Sequence, residues 1–518
     1  METAPAAQER HRAVTSLVER IVAEVEPLHL AHNEAVWKAN VTGDPAHEAE
    51  SARLDAEIRK IFARPEPFRF LGDALKAGGV GDETLQRQLV LLHHNFQAHQ
   101  IPPETIERMV RIEKGLESRF NNFRALLGGE RVSDNHIRQV LHRSQDVAER
   151  RAAWEASKQI GAEVVADLIE LVKIRNAAAR DLGFANFYTM SLTLDELDER
   201  ISKRFGISPR EVRPWHMSDP FFQEAPQAEV DLDPFFSERP LEELSATYFR
   251  SIGLEIEDLL KRADLYEKPG KSQHAFCLQV DRKGDIRVLC NLRPNEQWMS
   301  TLLHELGHAV YDQHVDMELP YLLRTASHTL TTEASAMLFG RLSKNAAWLH
   351  RYAGLDRTRA TQAGEKFERA IREQLLVQTR WCLVMCHMER ALYRDPDQDL
   401  DTLWWNLVQR FQKVPRPDGR HAPDWASKIH FSVAPVYYQN YMLGEIMASQ
   451  LQHHILARVL GGGADAWERY VSSPKVGQFL IVTLFRSGKA LDWRGTIRQA
   501  TGAPLQTDAF VSELAGSR

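Results

Sequence analysis

The chain has 518 residues, of which 43% are hydrophobic and 26% are charged, and its formal net charge is -6. This composition is typical of a globular protein with a large core, and the acidic balance excludes a basic surface for nucleic acid. Four cysteines are too few for a disulfide framework, and no secretory leader or run of about 18 apolar residues is apparent. We therefore expect a soluble cytoplasmic protein without a membrane partner.

Apolar residues recur at helical spacing through most of the sequence, from about the tenth residue onward, most clearly in segments 164–183 and 367–393. Prolines interrupt this pattern between Ile207 and Leu241, so no single helix can cross that stretch. We expect it to wrap over the surface, with a cavity wall as the alternative. The sequence predicts a mainly α fold in one domain, 1–518, that can be divided into a helical lobe, about 1–260, and a second lobe, about 261–518.

The clearest strand signal covers residues 274–292, where two short β-branched runs flank Asp281-Arg282-Lys283-Gly284. A four-residue turn that contains glycine between two such runs is typical of a β-hairpin. The sequence therefore predicts a small antiparallel hairpin immediately before the next helix.

That next helix, expected over 295–314, contains His304-Glu305-Leu306-Gly307-His308, the pattern HExxH. Residues four apart lie on one helix face, so both imidazoles can bind one zinc ion while Glu305 points toward the open coordination position. With 21 histidines in the chain, two unrelated histidines on a helix are the competing interpretation. A third ligand would favour the metal.

Glu333 supplies a candidate third ligand 25 residues after His308. It follows Thr331-Thr332, which we expect to cap a helix, and would then lie in its first turn among small apolar residues. Three protein ligands leave one position for a water molecule whose pKa zinc lowers, and Glu305 can take its proton. The sequence thus predicts one zinc ion per chain, bound by His304, His308 and Glu333, with Glu305 as the catalytic base.

Segment 427–441 concentrates a lysine, a histidine and three tyrosines before another helix. Such groups can donate hydrogen bonds to peptide oxygens, which a zinc peptidase needs where negative charge develops. An aromatic packing segment is the alternative.

At these residues the chain resembles the angiotensin-converting-enzyme family of peptidyl-dipeptidases and, more distantly, the thimet oligopeptidase family. The similar segments are the hairpin 274–292, the helix HELGHAVYDQH, the run 320–333, and Lys428-Ile429-His430 followed by Tyr438-Gln439-Asn440-Tyr441. The resemblance implies a helical ellipsoid with a deep channel for short peptides. It also implies that dipeptides are released from a free C-terminus, with endo-oligopeptidase action or a catalytically weak peptide-binding relative as alternatives.

The resemblance assigns roles to individual residues. Tyr441 and His430 would stabilise the oxyanion, and Lys428 and Tyr438 would bind the terminal carboxylate of the substrate. His274 and the backbone of Ala275 would hold the substrate as an added strand.

The sequence departs from the family pattern at several positions. Met337 stands where the family has an aspartate that orients a zinc-binding histidine, so support for that histidine must come from elsewhere. Met217 stands where a carboxylate-binding glutamine is expected, and Asn440 replaces an arginine that serves chloride binding. One residue is inserted between His430 and Tyr438, which leaves Tyr437 as a rival for either tyrosine role. The oligomeric state is not indicated by the sequence.

Overall fold

A computed structural model describes residues 4–181, 186–188, 231–237, 239–412 and 414–515. Helices dominate this part of the chain, which confirms the mainly α prediction. In the amino-terminal third they are α1 (Ala4–Thr42), α2 (Pro45–Phe62), α3 (Pro65–Lys76), α4 (Glu83–Ala98), α5 (Pro103–Asn122), α6 (Asp134–Arg143), α7 (Val147–Ser157) and α8 (Gln159–Asp181). The two segments with the clearest helical spacing fall largely in α8 and in the long helix α14 defined next.

The remaining helices of the described residues follow in chain order. They are α9 (Leu241–Ser251), α10 (Glu257–Arg262), α11 (Glu296–Gln313), α12 (Thr329–Gly340), α13 (Ala346–Tyr352), α14 (Arg357–Arg394), α15 (Leu400–Leu407), α16 (His430–Val433), α17 (Tyr438–His454), α18 (Ala466–Tyr470), α19 (Pro474–Leu480), α20 (Trp493–Thr501) and α21 (Asp508–Ala515). None of the described helices is both long enough and apolar enough to cross a lipid bilayer.

Most of the proline-rich stretch, and with it Met217, lies outside the described residues. Its last part contains a short 3-10 turn, Asp233–Phe236, in which the ring of Phe236 is completely buried. The prediction of a surface wrap therefore stays a prediction for residues 207–230.

Two antiparallel hairpins are the β-structure of the described chain. The predicted one pairs β3 (Phe276–Gln279) with β4 (Ile286–Leu289), and Asp281 closes its turn by accepting backbone N–H groups of Lys283 and Asp285. The other pairs β1 (Ala125–Leu127) with β2 (Glu130–Val132) and was not predicted. Its two-residue turn, Gly128-Gly129, has positive φ at both glycines, the type I′ requirement.

Four clusters of buried apolar residues form the interior of the described chain, the smallest of them around Ile106 of α5. The first surrounds α11 and α12. The second joins α8 to α14 and to the segment before α17, and so draws on both lobes proposed from the sequence. The third joins α1 to α4 and reaches Tyr321 and Leu322. Tyr441 and Met442, at the start of α17, pack against both the first and the second cluster, so the residues around them lie where two cores meet.

Helices α11 and α12 pack unusually closely. A Cβ atom on Gly307 of α11 would lie 2.6 Å from the Cα of Ala336, and one on Gly340 of α12 would lie 3.3 Å from the Cβ of His304. The hydroxyl of Ser335 donates to the Gly307 carbonyl across the same crossing at 2.9 Å. This close crossing brings the HExxH turn and Glu333 together.

Candidate metal centre

The HExxH residues lie in the middle of α11, with caps at both ends. Asn295 caps the amino terminus by accepting the backbone N–H of Trp298 at 2.9 Å, and the helix ends at Gln313, as the sequence predicts within one residue. Leucines on the opposite side, including Leu302, Leu303 and Leu306, are fully buried in the first core. That buried side fixes the rotation of α11 and turns His304 and His308 toward α12.

Helix α12 begins at Thr329, three to four residues earlier than the sequence suggested. The amino-terminal cap is His328, whose side chain accepts the N–H of Leu330, while the hydroxyl of Thr331 accepts the N–H of His328. The predicted Thr-Thr cap was therefore wrong, because an imidazole acceptor took the capping position. Glu333 consequently lies in the second turn, where its side chain is 3% exposed.

The side chains of His304, His308 and Glu333 converge. The Oε2 atom of Glu333 lies 3.5 Å from Nε2 of His304 and 3.8 Å from Nε2 of His308, and the three ligand atoms all lie within 4.8 Å of one another. Ligand atoms about 2.1 Å from a tetrahedral zinc ion are roughly 3.4 Å apart. The His-His-Glu group thus has the donor set and nearly the spacing of a catalytic zinc site.

One buried atom gives an independent test of this fit. Oε2 of Glu333 is buried and has no hydrogen-bond partner, which is costly for a carboxylate oxygen. It faces two imidazole nitrogens that carry no positive charge near neutral pH: burial lowers the pKa of His304 to about 4, and burial together with His304 lowers that of His308 well below its usual value. Neutral imidazoles and an unsatisfied carboxylate oxygen are the groups that zinc requires, so the residues fit the ion.

Glu305 is buried next to this group. Burial and the neighbouring Glu333 carboxylate raise its pKa to about 8, although the backbone N–H of Cys277 on β3 donates to it and acts in the opposite direction. A carboxylate with a pKa near the working pH is suited to accept and return a proton. The hairpin therefore contacts the side chain that the sequence marks as the base.

The second nitrogen of His308 has a partner that sequence reasoning missed. Its Nδ1 lies 2.7 Å from the hydroxyl oxygen of Thr332, and a metal on Nε2 would leave Nδ1 as the donor of this bond. Met337, in place of the family aspartate, is 7% exposed in the first core. Orientation of a ligand histidine is thus supplied one residue before Glu333 rather than four residues after it.

The three tyrosines of segment 427–441 have different surroundings. The hydroxyl of Tyr437 donates to Oε1 of Glu333 at 2.7 Å. Tyr441 is half-buried, with its ring 5.0 Å from that of Tyr437, and the charges of Glu333 and Glu305 add to burial in raising the pKa of its phenol. Tyr438 is 2% exposed, and its ring centroid lies 5.8 Å from that of Trp381 in the second core. Tyr437 is therefore the tyrosine with a direct bond to a metal ligand.

The remaining predicted residues gather on the side of α16. Lys428 is 7% exposed, and its ammonium lies 5.4 Å from the Trp381 ring and 5.9 Å from the Tyr438 ring. Burial, followed by the nearby Lys428 and His274, lowers the pKa of His430 far below its usual value, and Nδ1 of His430 is buried without a hydrogen-bond partner. The structure thus brings Lys428, His430 and His274 close together.

His274 and Ala275 lead into the outer edge of β3. The N–H of Val280 donates to the carbonyl of Asp285 on the other arm of the hairpin. The backbone N–H and C=O groups of Cys277 and Gln279 alternate with the paired residues and therefore point away from β4. Glu305 takes the N–H of Cys277, and Asn33 of α1 donates to the carbonyl of Gln279 at 3.3 Å. His274 and Ala275 directly precede β3 in the chain, next to the contact between Trp37 of α1 and the ring of Phe276.

Comparisons with known protein families agree with this geometry. The model of the angiotensin-converting-enzyme family matches residues 8–214, and the model of peptidase family M3 matches residues 260–516, a range that holds the entire metal group and the tyrosines. A search of curated proteins finds no match. The two family matches and the His-His-Glu group together indicate a zinc metallopeptidase, similar to angiotensin-converting enzyme over residues 8–214 and to peptidase family M3 over residues 260–516.

Proposed function

We propose that the enzyme releases dipeptides from the free C-terminus of short peptides. The observation that carries this proposal is Lys428, a cation withdrawn from water beside His274 and His430. An ammonium at this place can bind the terminal carboxylate of a substrate through a charge-assisted hydrogen bond. A fixed distance from this cation to the metal would then select the bond that is cut.

Charged groups of α6 lie near His274, on the same side as Lys428. Asp134 on α6 is close enough to influence the pKa of His274, but Arg138 donates to its carboxylate at 3.0 Å. Burial lowers the pKa of His274 to about 4, so this imidazole is neutral near pH 7. Lys428 and Arg138 are thus the cations, and Asp134 the carboxylate, whose charges act on His274.

We assign the chemical roles as follows. Zinc supplies a Lewis acid that activates water and polarises the scissile carbonyl. Glu305 takes the proton of the attacking water and passes it to the leaving amine. Tyr441 and His430 donate hydrogen bonds to the carbonyl oxygen as negative charge develops on it. The substrate backbone pairs with the backbone of Ala275, and Tyr438 supports the ammonium of Lys428 from within the core.

A pair of peptides tests the proposal directly. One sequence is supplied as the free acid and as the C-terminal amide, with and without 1,10-phenanthroline, and the products are identified by mass spectrometry. We expect the chelator to abolish cleavage, and the free acid to lose a dipeptide much faster than the amide. Equal cleavage of both forms would support endo-oligopeptidase action instead.

A variant of Lys428 tests whether its charge causes the preference for peptides with a free C-terminus. Lys428→Met keeps a long apolar stem against the Trp381 ring but removes the charge. We expect kcat/KM for the free acid to fall by at least about 30-fold, the lower end for a lost buried charge pair, and the amide to be unaffected. A parallel fall for both peptides would show that Lys428 does not read the carboxylate.

We also propose that the enzyme works in the cytoplasm. All four cysteines, Cys277, Cys290, Cys382 and Cys386, are free thiols, which suits a reducing compartment. Secretion with retained activity in an oxidising medium would argue against this location.

A further inference from the structure

A strained residue lies immediately before the tyrosine that touches the metal group. Val436 has φ 56°, in the left-handed region that β-branched residues almost never adopt. Such a conformation persists only where the surrounding structure holds it, and it tends to occur where a site needs it. At Val436 the chain turns from α16 toward α17.

The group that holds this turn is Glu389 of α14. Its Oε1 accepts the backbone N–H of Val436 at 2.8 Å, and the side chain is 2% exposed. Glu389 is more than forty residues away in sequence and lies on a 38-residue helix that contributes to the second core, so the acceptor is rigidly placed. The strain at Val436 is therefore matched by a buried hydrogen bond from a distant element.

The turn determines what Tyr437 can reach. With Val436 in the left-handed conformation, the hydroxyl of Tyr437 donates to Oε1 of Glu333. The two oxygens of Glu333 are thereby made different, because Oε1 is bonded to a phenol while Oε2 faces both imidazoles without a partner. One oxygen is left for a metal ion.

We propose that Tyr437 is a positioning residue that holds Glu333 as a one-oxygen zinc ligand, and that Glu389 acts through Val436 to keep Tyr437 in place. This inference rests on the proposed metal site and deepens it. A carboxylate that binds through one oxygen occupies one coordination position and leaves the fourth for water. Tyr437 orients Glu333, and Thr332 orients His308. These two contacts supply the orientation that an aspartate gives to a histidine in the family that the chain resembles, where this chain has Met337.

Zinc affinity is the measurement that tests the role, because it does not depend on turnover. Zinc dissociation constants of the full chain are measured by competition with a chromophoric chelator for the wild type, Tyr437→Phe and two controls. Tyr266→Phe removes a matching bond, a phenol donating to Glu242 at 2.6 Å, on the surface. Tyr441→Phe removes a phenol that lies in the site without a bond to Glu333.

We expect Tyr437→Phe to weaken zinc binding by about 10- to 100-fold, the usual effect of losing a group that orients a ligand. Both controls should bind zinc as the wild type does, although Tyr441→Phe should lose activity. Wild-type affinity in Tyr437→Phe, or an equal loss in Tyr266→Phe, would overturn the proposal. In the cobalt-substituted protein, Tyr437→Phe should also change the visible absorption, since a carboxylate binding through both oxygens raises the coordination number.

Two variants of Glu389 test the second half of the proposal. Glu389→Gln keeps an acceptor for the N–H of Val436 and should retain zinc affinity, whereas Glu389→Ala should weaken it as Tyr437→Phe does. The double variant Glu389→Ala/Tyr437→Phe should bind zinc no more weakly than either single variant, because both changes remove the same support of Glu333. Additive losses would overturn the coupling.

If the wild type binds no zinc, the metal site itself fails. If the wild type binds zinc and cleaves peptides but Tyr437→Phe binds zinc equally well, only this inference fails.

Discussion

At the residue scale, the site contains two buried carboxylates with different partners. Glu333 faces the imidazoles and is bonded to Tyr437, whereas Glu305 is bonded to the hairpin backbone. Burial raises the pKa of each to about 8. One partner set suits a metal ligand and the other suits a base, so the roles follow from the environment rather than from the residue type.

Replacing Glu305 by glutamine should separate the two roles. Glu305→Gln keeps the shape of the side chain but cannot take a proton, so we expect kcat/KM to fall by about 10²- to 10⁴-fold. Zinc content, measured by atomic emission after gel filtration, should remain at one ion per chain. Retained cleavage in the variant would show that another group accepts the proton.

Thr332 offers a prediction about metal affinity alone. Thr332→Val keeps the volume but removes the acceptor for Nδ1 of His308, and we expect zinc binding to weaken by about 10- to 100-fold. Thr247→Val is the control, because the exposed Thr247 hydroxyl donates to a backbone carbonyl of its own helix, far from the metal group in the sequence. Chelator competition at fixed pH compares the two variants, and equal affinities would mean that Thr332 does not orient His308.

Glu389 makes folding stability depend on pH. Burial raises its pKa from 4.5 to about 8, against the opposing effects of the Val436 N–H and Arg175. Between these values the folded protein holds a proton that the unfolded chain has lost, so stability falls as pH rises and levels off above about 8.

The slope is at most about 1.4 kcal/mol per pH unit for one group. Urea unfolding of the wild type and Glu389→Gln, both saturated with zinc, should show the wild type losing stability relative to the variant as pH increases through that window. A constant difference between the two proteins would contradict the raised pKa.

The sequence predicts a site residue well when its position is determined by residues nearby in the chain. His304, Glu305 and His308 were predicted because one helical turn determines their spacing. Glu333 was predicted as a partner, and the structure brings it to the imidazoles. Tyr437 was left as a rival, because the turn that aims it depends on Glu389, a residue of another helix. Thr332 was taken for a cap, and no local signal marked it as a partner of His308.

At the element scale, the metal group depends on the close crossing of α11 and α12. Gly307→Ala would place a methyl group 2.6 Å from a backbone Cα, which neither helix can avoid without moving. We expect the free energy of unfolding to fall by about 1–3 kcal/mol and zinc affinity to fall with it.

A second helical glycine provides the control for this prediction. A methyl group on Gly115 of α5 would meet nothing within 4 Å, so Gly115→Ala should stabilise the protein by up to about 1 kcal/mol. Chemical unfolding of both variants measures the effect. A stable Gly307→Ala protein with normal zinc affinity would show that the crossing tolerates a wider spacing.

The elements themselves were predictable in proportion to the strength of their local signals. The β3–β4 hairpin follows from two β-branched runs around a turn, and the structure confirms it. The β1–β2 hairpin was missed although Gly128-Gly129 is a strong turn signal, because each strand has only three residues. The start of α12 was misplaced because histidine is not among the usual capping residues.

At the scale of the whole molecule, the site lies where separate parts of the chain meet. Tyr441 and Met442 pack against both the first and the second core. Helix α1 is bonded to the hairpin through Asn33 and through the ion pair of Glu34 with Arg287, 253 residues away in sequence. Contacts of such long range cannot be read from periodicity, which explains why the sequence predicts the ligands better than their surroundings.

Zinc should therefore stabilise the whole fold rather than a local segment. His304, His308 and Glu333 belong to the two helices at the centre of the first core, and without a metal the Oε2 atom of Glu333 is buried and unsatisfied. A ligand that binds only the folded state stabilises it by RT ln(1 + [L]/Kd), about 4 kcal/mol at a thousand-fold excess over Kd.

Differential scanning calorimetry should accordingly show a higher Tm for the zinc-saturated enzyme than for the protein treated with chelator. His308→Gln should lose this increase while keeping a single unfolding transition, because it removes a ligand without disturbing the buried side of α11. Zinc that binds with a one-to-one ratio but leaves the Tm of the wild type unchanged would mean that the ion also binds the unfolded chain, or binds outside the His-His-Glu group. The variant decides between the two, because only binding outside the group would leave its zinc content at one ion per chain.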